Sequence, residues 1–332
     1  MDKEKTMSTR SKNIVIRVTV LAALIFALSS VSLQSQPRSV SNSGAGAPPQ
    51  TTQTGFATPQ EAAAALIKAA GDYDPQALNA MFGPDGEDFV STADPVQDKN
   101  QAAAFAERAQ QKNSVVVDPK NPNQATILVG EEEWPFPVPL VRKGAKWYFD
   151  SKTGHDQIVY ERIGANELDA IQVCRGFVEA QEQYASEVHD DSGINQYAQR
   201  TISTDGKQDG LAWKNPDGTW AGPVSETVAK AIEQGYTTSG QPFHGYYFKV
   251  LKGQGPAAPN GELDYVINGV MIGGFALVAW PAEYKVTGVQ TFIVSYSGIV
   301  YQKDLGPDTA KIAAAMERYN PDKTWHPTDD NW

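Results

Sequence analysis

Few side chains in this sequence have the chemistry of a nucleophile, a general base or a metal ligand, and their neighbours decide what each can do. The single cysteine, Cys174, has Ile171 and Val178 at helical spacing, which puts its thiol on an apolar helix face. A free cysteine there is an inert core hydrophobe, not an activated thiolate, whichever histidine is offered as its partner. His155 sits between carboxylates in the run Asp150-Ser-Lys-Thr-Gly-His-Asp156, the composition of an acid/base pair. Ser, Lys, Thr and Gly all favour solvent, however, so the stretch reads as a turn after a strand. Glu87 and Asp88, in the loop from Gly83 to Asp94, are the carboxylates a hydrolase would use. Glu131-Glu-Glu133 beside Trp134 would attract a cation or a basic partner, but three consecutive carboxylates read as a solvated loop. Trp213 and Trp220 flank Lys214-Asn-Pro-Asp-Gly-Thr219. They have the chemistry to stack on a sugar or peptide, although turn-flanking tryptophans more often fold over a local core.

No Gly-x-Ser-x-Gly elbow, phosphate-binding Gly-x-x-x-x-Gly-Lys loop or His-Glu-x-x-His helix occurs. One cysteine excludes an intramolecular disulfide and a Cys-rich metal site, and four histidines, at 155, 189, 244 and 326, leave little for zinc. No catalytic, cofactor-binding or metal-ligating residue is assigned on these grounds, and no cofactor is implied.

The elements that would position these groups follow from the patterning. Thr58-Pro-Gln-Glu61 is a capping box opening a helix to about Gly71. A second helix is expected over Pro75–Phe82, closed by Gly83, and a third over Asp98–Lys112 after a loop. Strands are expected at Ser114–Val117 and Gln124–Val129, then a hairpin from Phe136–Val141 to Lys146–Phe149. A long helix is read from Gly164 to about Glu187, with Leu168, Ile171, Cys174 and Val178 on its apolar face. Another follows over Val224–Gln234. The strongest pattern comes next: strands rich in Val, Ile and aromatics from Gly273 to Pro281 and from Thr291 to Asp304, the latter folded back at Ser297-Gly298. A last helix is expected over Asp308–Tyr319, and a frayed tail after Pro321. The fold class is α+β: two small domains, residues 56–160 and 161–332, each helices followed by an antiparallel sheet, the second pilin-like in outline.

The 332 residues carry a formal charge of −11. Without residues 1–35 there remain 23 basic and 37 acidic side chains, a charge of −14. Such a surface repels phosphate backbones and anionic membranes, so nucleic acid is not an expected partner. Five basic residues precede the apolar run Val18–Leu28, and Ser29-Ser-Val-Ser-Leu-Gln-Ser35 follows it. Residues 1–35 therefore read as a secretory signal peptide, with an uncleaved signal anchor as the competing reading and the only route to a membrane. Residues 36–55, dominated by Ser, Thr, Gly, Pro and Gln, read as a disordered tether.

Several short blocks together resemble a bacterial family of domains of unknown function, family 2950, over roughly residues 56–330. They are Gly83-Pro-Asp-Gly-Glu-Asp88 with Ser91-Thr-Ala-Asp-Pro95, Trp134–Val141, Arg162-Ile-Gly164 with Asn166-Glu-Leu168, Gly273–Pro281 and Tyr301–Gly306. The resemblance implies a secreted or envelope-associated protein and supplies no activity. Members often carry an Asp-rich loop after the long helix. Placing Gly193 at the turn of a calcium loop makes Val188, Asp190, Ser192 and Gln199 the ligand positions here, and one anionic ligand, Asp190, is too few for firm binding. The expectation is an exported, non-catalytic envelope protein that binds or scaffolds an envelope protein or polymer. A hydrolase using loop carboxylates and a pilus-like assembly subunit are the alternatives.

Overall fold

The computed structural model describes residues 53–189, 192–236 and 240–328. Residues 1–35, read as a signal peptide, most of residues 36–55, read as a tether, and Asp190 lie outside the described residues.

Three of the first four helices start with the same device, an oxygen-bearing cap followed by proline. The Thr58 hydroxyl accepts from the Glu61 N–H at 3.1 Å, while the Glu61 carboxylate accepts from the Ala57 N–H at 3.0 Å. This opens α1 (Pro59–Gly71). Asp74 caps α2 (Pro75–Phe82) through the Ala77 N–H, and Asp94 caps α4 (Pro95–Gln111) through the Gln97 N–H. The third expected helix thus begins three residues earlier than its periodicity suggests, because the cap sets the start. The loop before it holds a 3-10 turn (Pro84–Gly86) and a single helical turn, α3 (Glu87–Val90).

An antiparallel sheet follows, made of β1 (Asn113–Asp118), β2 (Asn121–Val129), β3 (Trp134–Pro135), β4 (Leu140–Lys143) and β5 (Lys146–Phe149). The path runs β1-β2-β4-β5, with β3 also paired to β2. The strand expected over Phe136–Val141 is interrupted because Pro137 and Pro139 remove ladder donors, so only its ends pair.

The main correction concerns the long helix. It spans Ser151–Tyr184 (α5, 34 residues), about 50 Å at 1.5 Å per residue, and absorbs the Asp150–Asp156 stretch read as a turn. Gly154 and Gly164 stand inside the helix for different reasons. At Gly154 a Cβ would lie 2.7 Å from the Pro137 carbonyl oxygen, so glycine is required for close packing. At Gly164 a Cβ would meet nothing within 4 Å, and the helix tolerates a glycine costing about 1 kcal/mol against alanine. The boundary expected at residue 160 therefore falls inside a continuous helix. Leu168, expected on the apolar face, is 40 % exposed, since the buried stripe runs instead through Asn166, Ala170, Cys174, Phe177 and Gln181.

Beyond α5 lie β6 (Arg200–Ile202), β7 (Gly210–Lys214), β8 (Trp220–Ala221) and α6 (Ser225–Gln234). Next come β9 (Tyr246–Leu251), β10 (Gly253–Gln254), β11 (Leu263–Asp264), β12 (Val266–Ile267) and β13 (Val270–Met271). The chain ends with β14 (Ala276–Pro281), β15 (Gln290–Ser295), β16 (Tyr301–Asp304), α7 (Thr309–Ala314), β17 (Arg318–Tyr319) and β18 (His326–Pro327). The second large sheet has the order β18-β16-β15-β14-β9, all antiparallel. Its centre pairs Leu277 with Val294 and Ala279 with Phe292. Gly298, at φ +75°, makes the turn before β16. Every residue of β14 is buried, because α5 packs against β14 and β15 while α7 and β17 also contact β14.

Two expectations near the C-terminus fail. The final helix stops at Ala314 because residues 318–319 leave it to pair with β10 in parallel. The tail is docked through residue 328, not frayed: Trp325 is 8 % exposed and the Thr328 N–H donates to the Val300 carbonyl at 2.9 Å. Buried apolar side chains form two clusters, one from Ala62 to Phe149 with Ile158 beside it, the other from Ala170 to Trp325. Among the described residues no helix is long and apolar enough to cross a membrane.

Candidate functional site

Three stretches far apart in sequence meet where α4, α5 and the second sheet come together. The Asp94 carboxylate, wholly buried, accepts from the Gln97 N–H at 3.0 Å, the Tyr236 hydroxyl at 3.0 Å and the Gly245 N–H at 2.9 Å. Burial, and then the Asp94 charge, push the Tyr236 hydroxyl well above its usual pKa, so it stays a donor. The Gln97 amide donates to Asn166 at 2.7 Å, and the Asn166 amide donates to the Thr287 carbonyl at 2.9 Å. Next on the helix, one Glu167 oxygen accepts from the N–H groups of Val289 and Gln290, both at 2.9 Å. Gly245 has φ +75°, and a Cβ there would sit 2.4 Å from the Asn166 amide nitrogen. The junction admits no side chain at that point.

Beside this junction opens a cavity of about 540 Å³, within the range of small-molecule sites. Two helices line it with stripes at one spacing: Asp98, Gln101, Ala102 and Phe105 from α4, and Ile158, Glu161, Arg162 and Ala165 from α5. Its apolar wall is a chain of rings. Phe136 lies 5.3 Å from Phe105, 6.2 Å from Trp134 and 6.3 Å from Phe82, and Phe82 continues to Phe89 at 5.5 Å.

The polar end is formed by Tyr73, Asp98 and Arg162. Burial raises the pKa of the Asp98 carboxyl, opposed by hydrogen bonds from the Thr92 N–H at 2.7 Å and hydroxyl at 2.8 Å. Burial lowers that of the Arg162 guanidinium, opposed by the Asp98 charge; it remains protonated and donates to the Asp88 carbonyl at 2.7 Å. Tyr73 is raised by burial and by Asp98. The two acids that line the cavity, Asp98 and Glu161, are matched by two bases, Arg108 and Arg162. Such a site offers an apolar body to bind against and donors and acceptors at one end, with no uncompensated charge.

The residues singled out for chemistry fall elsewhere. Cys174 is fully buried and its thiol is pushed up by that burial, as an inert core cysteine should be. His155 and Asp88 are brought together, Nε2 to Oδ2 at 3.4 Å, while Nδ1 lies 3.2 Å from Asp156. The Asp156 bond, against some desolvation and with help from Asp88, raises the imidazole pKa. Both ring nitrogens face carboxylates, so neither is aimed at a hydroxyl or thiol. Asp150 instead accepts from Thr153 at 2.7 Å, and Glu87 is exposed on α3. Glu131 and Glu133 pair with Lys112 at 3.7 and 3.1 Å. Trp213 and Trp220 pack against the second core.

Of the calcium-loop positions, Gln199 donates to the Gly269 carbonyl at 2.7 Å, which turns its amide to a backbone partner. Among the described residues no group of three His, Cys, Asp or Glu is placed to hold a metal ion. A larger cavity, about 760 Å³, lies near Tyr184, Gln196 and Asp209. Two of its polar groups are engaged, Gln196 accepting from the Met271 N–H at 3.3 Å and Asp209 from the Thr204 N–H at 2.7 Å, and its lining holds none of the phenylalanine and tryptophan rings that wall the other cavity. The aromatic cavity is the better candidate.

The fold and this site define an α+β protein with an aromatic-walled cavity against the helix that runs between its two cores. Residues 53–328 match the family described as Protein of unknown function (DUF2950), and the chain belongs to that family. No curated protein and no solved structure matches the chain. The family-bearing blocks now have positions. Ser91–Pro95 with Arg162–Leu168 builds the junction, Trp134–Val141 supplies cavity rings, and Gly273–Pro281 is the centre of the second sheet.

Proposed function

We propose that this is an exported protein of the bacterial envelope that binds an amphipathic small molecule in the aromatic cavity and does so without catalysis. The observation that carries the reading is the pairing of a continuous ring wall, Trp134–Phe136–Phe105, with a charge-balanced polar end at Asp98 and Arg162. A ligand bearing a full charge would find no net counter-charge there and would lose hydration without recompense. A neutral hydrogen-bonding head on an apolar body fits best. The basic, apolar and small-residue order of residues 1–35 supports export.

Three probes with one phenylbutyl body test the binding: the amide, the carboxylate and the amine, titrated calorimetrically. The amide is expected to bind, with each charged probe at least about tenfold weaker, a difference of about 1.4 kcal/mol. Phe105→Ala is expected to weaken the amide about tenfold or more by removing a ring from the wall. Equal binding of all three probes, or none, contradicts the reading, as does affinity indifferent to Phe105. Export is tested separately by mass spectrometry of the protein from its host, where the mature chain is expected to start between about Val31 and Arg38. An intact Met1 in the membrane fraction would mean an anchored protein.

A further inference from the structure

The first sheet ends on β1, whose sequence is Asn113-Ser-Val-Val-Val-Asp118. Among the described residues β1 pairs with β2 alone, so its outer row of backbone donors and acceptors has no ladder partner. The other long edges are handled differently. In the second sheet β9 is buried at every residue except the half-buried Tyr247, and the opposite edge is β18, two residues long with a proline. The β5 edge of the first sheet is crossed by Phe56, which bridges to Trp147. Natural edges are blunted by proline, lysine, brevity or cover. Between Ser114 and Val117 β1 has none of these, and Val116 and Val117 are 49 % and 41 % exposed.

We infer that β1 pairs antiparallel with β1 of a second copy of this chain, joining two five-stranded sheets into one across a two-fold axis. The register with β2 sets the faces: Val115 and Val117 stand opposite the buried Ile127 and Ala125, and Val116 stands opposite Thr126 on the outer face. A two-fold axis perpendicular to the sheet keeps inner faces together, so each residue must meet one of its own face. Centred on Val116, that symmetry sets Val116 against its own copy, each Val115 against the partner's Val117, and each Ser114 hydroxyl against the partner's Asp118 carboxylate. Within Asn113–Asp118 no like charges meet, Lys112 and the partner's Lys120 facing each other only beyond the strand ends, and four inner-face valines close over one another. A foreign strand could use the same backbone groups, but a second copy brings the matching order of faces by symmetry alone. A six-residue edge buries less than the roughly 800 Å² per partner of a standard interface, so the dimer is expected to dissociate at about micromolar concentrations.

Sedimentation velocity of the full chain, as its host processes it, over a hundredfold concentration range reads this directly. The sedimentation coefficient is expected to rise with concentration. Val116→Lys, which sets two ammonium groups face to face, is expected to remain monomeric throughout while keeping its urea midpoint, because the position is half exposed. Val116→Thr keeps a β-branched side chain and is expected to dimerise. In Val116→Cys a short bis-maleimide should link the two chains, with buried Cys174 unreactive. A concentration-independent monomer overturns the proposal, whether the edge is free, covered by the chain's own N-terminal residues or reserved for another protein. A dimer that survives Val116→Lys, or a Val116→Cys chain that does not cross-link, overturns it equally.

Discussion

Asp94→Ala is expected to destabilise the protein by roughly 3 to 5 kcal/mol, because it strands the donors of Gln97, Tyr236 and Gly245 in a buried site at about 1 to 3 kcal/mol each. The loss is offset in part by no longer burying the carboxylate itself. Asp94 is wholly buried, and its partners lie on α4, beside α6 and at the start of the second sheet. The variant should therefore loosen the two cores from each other as well as shorten α4 at its cap. Against a total stability of about 5 to 15 kcal/mol, urea unfolding would show a much lower midpoint and separate transitions for the two cores. A loss below about 1 kcal/mol with a single transition would mean that the junction is not a structural tie.

The other large effect is expected at Phe292, where replacement by alanine should cost roughly 3 to 5 kcal/mol, as large-to-small changes in packed cores do. The ring is fully buried, pairs across the sheet with Ala279 and lies 5.9 Å from the ring of Tyr246. Alanine at both 279 and 292 would leave a void that the neighbouring strands are too tightly laddered to close. The urea midpoint measures the cost. A variant of undiminished stability that fails only to bind a ligand or partner would make this sheet a recognition surface and not a core.

Those two sites differ in how far sequence reveals them. The strands around Phe292 are legible because β-branched and aromatic runs, a proline break and the Ser297-Gly298 turn all agree. The cap of α1 is legible for the same reason, since Thr58-Pro-Gln-Glu61 is a local signal. The long helix exceeds what its sequence suggests because glycine weakens helix propensity wherever it stands, and only tertiary packing against Pro137 and Val138 explains Gly154. The junction is out of reach altogether: Asp94 and Gly245 are 151 positions apart, and nothing local announces that a helix cap also serves a second core.

The cavity lies between these cases. The rings of Phe82, Phe89, Phe105, Trp134 and Phe136 come from five separate elements or loops, which a reading of local motifs does not join. One signal was present, however. Asp98, Gln101, Ala102 and Phe105 repeat at helical spacing, as do Ile158, Glu161, Arg162 and Ala165. Each mixes charge with apolar side chains, as expected of a helix facing neither solvent nor a dry core. His155 and Asp88 illustrate the reverse: each has acid/base chemistry by residue type, and the fold pairs them with each other and His155 with Asp156 instead of with a nucleophile.

The central claim, that the aromatic cavity is the ligand site, is tested most directly by NMR of the full chain with the phenylbutyl amide. Intermolecular Overhauser contacts are expected from the probe ring to Phe105, Phe136 and Trp134, with its amide protons close to Tyr73. Contacts to the polar cavity near Tyr184 and Gln196 instead, or none at millimolar probe, would contradict it.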